Sequence, residues 1–452
     1  MLPEFLRNAI DTASNAVWSP LTMALLLGTG VFLTVRLRFV QVTRFREALR
    51  AMMPTQASGA GILSPFQAFM TALGASIGTG NIAGVATAIV SGGPGALFWI
   101  WVYGFFATTI KFCEAVLGIK YRKVQGDRVS AGPMHYLKDG LGSPKLAWLY
   151  AVIAGVAALT TTPFTQPNSI AVVMQSQFKI EPWISGVAIA VLTWLVVIGG
   201  VKSIGRAAER LAPLKVGLYL VGGLIVIVTH ASQLPAVLAL VVREAFSFEA
   251  AGGGAAGVGM MVAMRYGIAR GIYANEAGYG TAAVAYGTAR TEAPVQQGLQ
   301  AVMEVFIVSC VTSTISALVI LASGAWTSGL TSTAVVAQAF NTAIPTVGGW
   351  IVAFCAFLFG YTTLIGWAYY GEQFLEYAFG LRITKPYRWI YCGLVVFGAM
   401  GKVETIWAWG DLMNGLQVFP NLVGVIGLSG VAASVLRRQP EQQRTEAAAP
   451  PA

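Results

Sequence analysis

Charge is scarce in this chain. Of 452 residues only 11% are Asp, Glu, Lys or Arg, less than half the roughly 25% of a soluble globular protein, while 56% are hydrophobic and the mean hydropathy is +0.67. That shortage excludes a soluble enzyme and indicates a polytopic membrane protein. Histidine is almost missing, with only His135 and His230, and the four cysteines (Cys113, Cys310, Cys355, Cys392) lie far apart in apolar runs with no CxxC pair. Neither a disulfide framework nor a zinc site is therefore expected. No GxxxxGK[ST] loop is present, so any pumping must draw on an ion gradient and not on ATP. The N-terminus carries Glu4 and Asp11 and lacks the basic region and cleavage site of a secretory leader.

What the sequence has is apolar runs of membrane-crossing length. Eleven are expected, near 17–37, 62–90, 96–119, 146–177, 183–200, 211–230, 251–274, 298–323, 347–378, 387–403 and 415–436. Cytoplasmic loops collect Lys and Arg, and with the N-terminus outside, 24 of the 29 basic residues fall inside. They are Arg36, Arg38, Arg44, Arg46 and Arg50; Lys120, Arg122, Lys123, Arg128, Lys138 and Lys145; Lys202, Arg206, Arg210 and Lys215; Arg265, Arg270 and Arg290; Arg382, Lys385 and Arg388; Arg437, Arg438 and Arg444. Only Arg7, Lys179, Arg243 and Lys402 fall outside. The bias explains the net charge of +10 without nucleic acid, since basic loops face the anionic cytoplasmic leaflet. A multi-pass protein of the cell inner (plasma) membrane with a cytoplasmic C-terminus is expected.

Two runs are interrupted by glycine. The second contains "GASIGTGN", and the seventh opens with "AAGGGAAGVGMM" and leads into "YGIARGIYANEAGYG". Five spans separate their starts, so the two units have opposite topology, the pattern of an inverted-repeat secondary transporter with a broken first helix in each repeat. The division expected is 1–58 as an N-terminal helix and basic loop, 59–232 and 233–436 as the repeats, and 437–452 as a disordered tail. Backbone leaves the helix at membrane depth only where it is buried in protein or lines a cavity, so a break implies a site. Around Gly78 to Gly80, freed N–H groups at a helix N-terminus suit a carboxylate, and freed carbonyls suit a cation such as Na⁺. Small residues also let membrane helices pack closely, but Asn81 and the matching second interruption favour a site.

The stretches "GTGNIAGVATAI", "GGPGALFWIWV", "KFCEAVLGIKYR", "GPMHYL", "GGVKSIGRAAERLAP" and "RGIYANEAGYGTA" resemble the alanine or glycine:cation symporters, the sodium:alanine symporter family, from about Ala57 to Ala433. The resemblance implies an N-terminal helix added to a ten-helix leucine-transporter-type core, and Na⁺-driven, sometimes H⁺-driven, uptake of small neutral amino acids. Carried over by motif, Thr79, Gly80 and Asn81 form the substrate-facing turn beside Gly78, and Gln166 completes the pocket; Pro163 and Pro167 bracket it, and the second proline is a departure from the family pattern. Thr362 and Thr363, with the carbonyls of Gly74 and Ile77, are expected to hold Na⁺, for which oxygen ligands are suited. Thr363 is also expected at the substrate, and Trp367, one turn on, is expected to cap a small side chain. Adjacent threonines also back-bond to the preceding turn, and a tryptophan also simply packs.

Charged residues within spans are functional candidates. Lys111 and Glu114 are spaced for a mutual pair, Glu304 is expected to snorkel to the inside surface, and Arg270, Asn275 and Glu276 are expected to form an inner gate. A channel would show a polar stripe or a ring of charge, and an intramembrane enzyme a nucleophile with its base or a metal motif. Neither is present. The reading is a symporter with Na⁺ (or H⁺) and a small neutral amino acid as its partners beside lipid, and with no cofactor.

Overall fold

The computed structural model describes residues 4–54, 57–126, 128–247 and 258–448. It is helical nearly throughout, and the one sheet among the described residues is a hairpin pairing Lys123–Gln125 antiparallel with Arg128–Ser130. Among the described residues six helical runs are long and apolar enough to cross a membrane, and two bent pairs raise the number to eight: Pro65–Ser76 with Thr79–Gly92, bent by 55°, and Val403–Gly427 with Ser429–Arg438, bent by 52°. Helices Pro182–Val197 and Thr384–Met400 are shorter, at 16 and 17 residues. The all-α integral membrane architecture is the one expected.

Three boundaries differ from expectation. The helix expected from residue 211 begins at Gly200 and runs 30 residues to Thr229, because its polar opening, with Lys202, Arg206, Glu209 and Arg210, is still helical. Lys215 therefore lies mid-helix and fully buried, not in a loop. The last expected span begins at Val403, which brings Asp411 within a helix. The C-terminal segment, expected to be unstructured from residue 437, continues a helix to Ala448; its Gln, Glu, Arg and Ala are good helix formers.

Both broken helices consist of two arms. Arm 1a is Pro65–Ser76, started by Pro65 at its first position and by a capping box in which Ser64 and Gln67 satisfy one another's backbone N–H. Arm 1b is Ala83–Gly92. Arm 2a is Val258–Asn275 and arm 2b is Thr281–Gly287. Arm 2a packs along arm 1b, with Tyr266 against Gly92 and Arg270 against Gly84, while arm 2b packs on arm 1a. The broken helices thus run antiparallel with their breaks side by side.

At the 1a end the chain segments entering and leaving the arms are stitched together. Leu63 bridges Ala289, Arg290 N–H donates to Leu63 O at 2.7 Å, and Ile62 N–H donates to Thr288 O at 2.8 Å. The Arg122 guanidinium then donates to the carbonyls of Ala60 (2.7 Å), Gly287 (3.0 Å), Ala289 (2.5 Å) and Thr291 (2.8 Å).

Candidate functional site

The first break follows from its residues. Arm 1a stops at Ser76, Gly78 is extended, and Thr79–Asn81 make one tight turn before arm 1b. The freed N–H of Thr79 and its hydroxyl both donate to Gln166 Oε1, each at 2.9 Å. Asn81 faces away from the pocket, contrary to expectation. Its Nδ2 donates to Ser76 O at 3.2 Å, and its Oδ1 accepts from Thr312 at 3.1 Å and Ser313 at 3.2 Å, so it closes the break against a widened, π-type turn at Phe306–Thr312.

The second break falls at 276–280. Glu276 has φ 57, Gly278 φ 104 and Gly280 φ 85; Gly252, Gly253 and Gly254, which open the second glycine-rich stretch, lie outside the described residues. A left-handed glutamate costs about 1–2 kcal/mol, and its side chain shows what holds it: the carboxylate accepts from Trp367 Nε1 at 2.6 Å and from Thr281 Oγ1 at 2.7 Å. Glu114 Oε1 accepts from Gly278 N (2.9 Å), Gly280 N (3.1 Å) and Asn421 Nδ2 (2.7 Å), which satisfies the N–H groups that the break frees. Lys111 donates to Glu304 Oε1 at 2.6 Å, Ser76 Oγ at 2.9 Å and Asn275 O at 2.5 Å, clipping the two breaks together. The expected Lys111–Glu114 pair is thus replaced by Lys111–Glu304, and Glu304 is fully buried instead of snorkelling.

Between the breaks lies a small cavity of about 10 Å³, room for one water. Of the expected site residues it is lined by Gly78, Gly80, Gln166, Glu276, Thr363 and Trp367; Ala75, Ser76, Thr162, Tyr273, Tyr279 and Asn414 join them unforeseen. Thr79 stands behind Gln166, and Asn275 anchors the break through Ser309 (3.0 Å) and Ala277 N (3.0 Å). The glycines are required by close approach: a Cβ on Gly78 would stand 2.6 Å from Thr363 Oγ1, and one on Gly80 2.7 Å from Tyr273 Cδ1.

The oxygens expected to hold Na⁺ do converge, but on an amine. Lys215 Nζ donates to Gly74 O at 2.9 Å, Ile77 O at 2.5 Å and Thr362 Oγ1 at 2.5 Å. Thr363 is turned to the pocket and donates to Ala75 O at 2.7 Å. The expected set of Gly74, Ile77, Thr362 and Thr363 is therefore split, because the 30-residue helix carries Lys215 into the space between arm 1a and helix Val347–Phe379.

Residues 3–451 match the sequence model of the sodium:alanine symporter family. The sodium/alanine symporter AgcS of Methanococcus maripaludis is 37% identical over 97% of this chain and 98% of its own length. GlnT of Bacillus subtilis, named as a sodium/glutamine symporter, is 34% identical over 98% of this chain and 92% of its own. The chain belongs to the sodium:alanine symporter family. It is a multi-pass membrane protein and a Na⁺- or H⁺-coupled amino-acid symporter, not an enzyme. Its fold is shared with a manganese transporter of Eremococcus coleocola, at 16% identity and a TM-score of 0.54 over 82% of this chain and 83% of that one.

In a symporter the ends of the cavity matter as much as its walls. Toward arms 1b and 2a the symporter's cavity is covered by Tyr273, whose hydroxyl bonds Thr165 at 2.5 Å and whose ring lies 4.9 Å from Trp407. Above them Arg270 is bidentate with Asp411 at 2.7 and 2.8 Å and stacks on Trp407 at 4.6 Å. The three residues expected as one inner gate thus separate. Arg270 belongs to the lid at the end opposite Arg290, Glu276 to the cavity, and Asn275 to the break. No sequence spacing signals Asp411 or Tyr273, because their partners come from other helices.

Proposed function

We propose that this symporter imports a small neutral amino acid, alanine or glycine, by alternating access between two units of inverted topology, 59–232 and 233–436. The observation that carries the reading is that both unwound segments face one cavity, with Gly78 and Gly80 of the first break and Glu276 of the second in its lining. The substrate carboxylate takes the place of Gln166 Oε1 at Thr79 N–H, next to the positive end of arm 1b. The substrate ammonium meets Glu276, and Trp367, Tyr273 and Tyr279 leave its side chain little room. Thr363 adds a hydroxyl at the cavity wall. The alanine in the name of AgcS agrees with this size limit.

We further propose the cell membrane as location, with the N-terminus outside. Lys202, Arg206, Arg210 and Lys215 lie in helix Gly200–Thr229 and Arg265 and Arg270 in arm 2a, yet the basic residues left without these six still favour one side strongly. The test is counterflow into proteoliposomes loaded with single amino acids. Alanine and glycine should each drive uptake of labelled alanine, and leucine should not. Equal exchange with leucine rejects the size limit, and no exchange with any amino acid rejects the substrate class.

A further inference from the structure

Lys215 is a buried cation with no carboxylate paired to it among the described residues. An ammonium has three N–H donors and no acceptor, and its three hydrogen-bond partners here are three oxygens: Gly74 O and Ile77 O at the end of arm 1a, and Thr362 Oγ1. The carbonyls lie at the negative end of the arm's dipole, Thr362 spends its own proton on Leu358 O at 3.0 Å, and the Phe359 ring lies 5.3 Å from Nζ. A metal cation bound to these oxygens would have to occupy the space of the amine. We propose that the Lys215 ammonium is itself the cation of this site, so that the ion taken up and released there is a proton. This rests on the amino-acid symporter reading and names its driving ion.

The chemistry links proton to conformation. A neutral amine carries two N–H groups and a lone pair, so facing these oxygens it leaves one hydrogen bond unmade and turns the lone pair on an acceptor, at a cost of about 1–3 kcal/mol. The neutral amine takes a proton from water on the side where substrate enters. The ammonium then draws arm 1a against helix Val347–Phe379 and closes the cavity. When arm 1a parts on the other side, the three oxygens go with it or turn away, water reaches Nζ, and the proton leaves to it. One proton moves with each substrate.

Few other groups titrate nearby. Helices Pro65–Ser76, Pro182–Val197, Ser313–Ala322 and Ser332–Ala343 carry no ionisable side chain. Tyr219, one turn along, is bonded to Ser316 at 2.7 Å. Tyr361 donates to Leu192 O at 2.9 Å, and Cys355 lies near Tyr219. Glu209 is held by Gln67 at 2.9 Å. Glu276 lies across the cavity, its carboxylate accepting from Trp367 Nε1 and Thr281 Oγ1.

The experiment uses the full chain in proteoliposomes with choline replacing Na⁺. An inward pH difference of one unit should accumulate alanine up to about tenfold at zero membrane potential, one proton per substrate. Lys215→Met should erase this, and whatever exchange it retains should be indifferent to external pH. Thr362→Val, which removes one oxygen from the ammonium, should move the pH of half-maximal accumulation toward acid, a shift that a purely structural role would not give. Accumulation by the unmutated chain only under a Na⁺ gradient, with no response to pH, overturns the proposal; so does undiminished pH-driven accumulation in Lys215→Met. Exchange without pH drive defeats this inference alone, whereas absent exchange defeats the substrate reading beneath it.

Discussion

Gly80 is where a single atom decides between packing and binding. The space a Cβ would take is filled by the Tyr273 ring, and that ring is also a cavity wall. Gly80→Ala should therefore push the ring toward the substrate and weaken alanine binding by at least about tenfold, on the order of 1.4 kcal/mol, in protein that remains monodisperse in detergent. Binding at unmutated affinity would mean that the ring yields elsewhere. Residues of this kind were legible in the sequence because their chemistry is local: glycines inside an apolar run, an asparagine among them, and Gln166, Thr363 and Trp367 in stretches that resemble one family. Lys215 was not legible as a site residue. Charge at the mouth of an apolar run reads as a loop, and only the helix start at Gly200 shows that the amine sits mid-helix and buried. Asn81 had the right type for a ligand and the wrong orientation, since direction at a break depends on the partners that Thr312 and Ser313 bring from elsewhere.

At the scale of elements, the lid joins arm 2a to helix Val403–Gly427 through one bidentate pair. Removing one partner of a buried pair typically costs about 3–5 kcal/mol because the other charge is left alone. With Asp411→Asn, Arg270 loses its counter-charge and one of its two acceptor oxygens in the closed form, an amide NH2 facing the guanidinium in its place, and the closed form is the one penalised. In a background without Cys113, Cys310, Cys355 and Cys392, a cysteine replacing Thr162 at the cavity wall should react with an impermeant maleimide at least about tenfold faster once Asp411→Asn is added, a population shift of about 1.4 kcal/mol. Equal rates would take the pair out of the gate. The all-helical membrane class was readable from apolar length, although six to eight of the eleven expected runs are long and apolar enough to cross a membrane among the described residues, and the first break was readable from its glycines. The second interruption was readable only as a glycine-rich stretch running from "GGG" to "AGYG", the first part of which lies outside the described residues; the unwound turn is built by Glu276, Gly278 and Gly280 and satisfied by Glu114 from another helix.

For the whole molecule, orientation is the property that links geometry to physiology. If the basic loops are cytoplasmic, a cysteine placed at 124 should be labelled from the inside and one at 180 from the outside; reversed labelling would turn the lid and the 1a end around together. The stitched end described above then acquires a meaning for the cell. Arg122 holds four carbonyls drawn from the approach to arm 1a and the exit from arm 2b, so neither arm can drift open without the other. Parting the two arms on that side has to break charge-assisted bonds that one guanidinium makes to both, which works against a half-open passage through which ions could leak and run down the gradient that the carrier lives on.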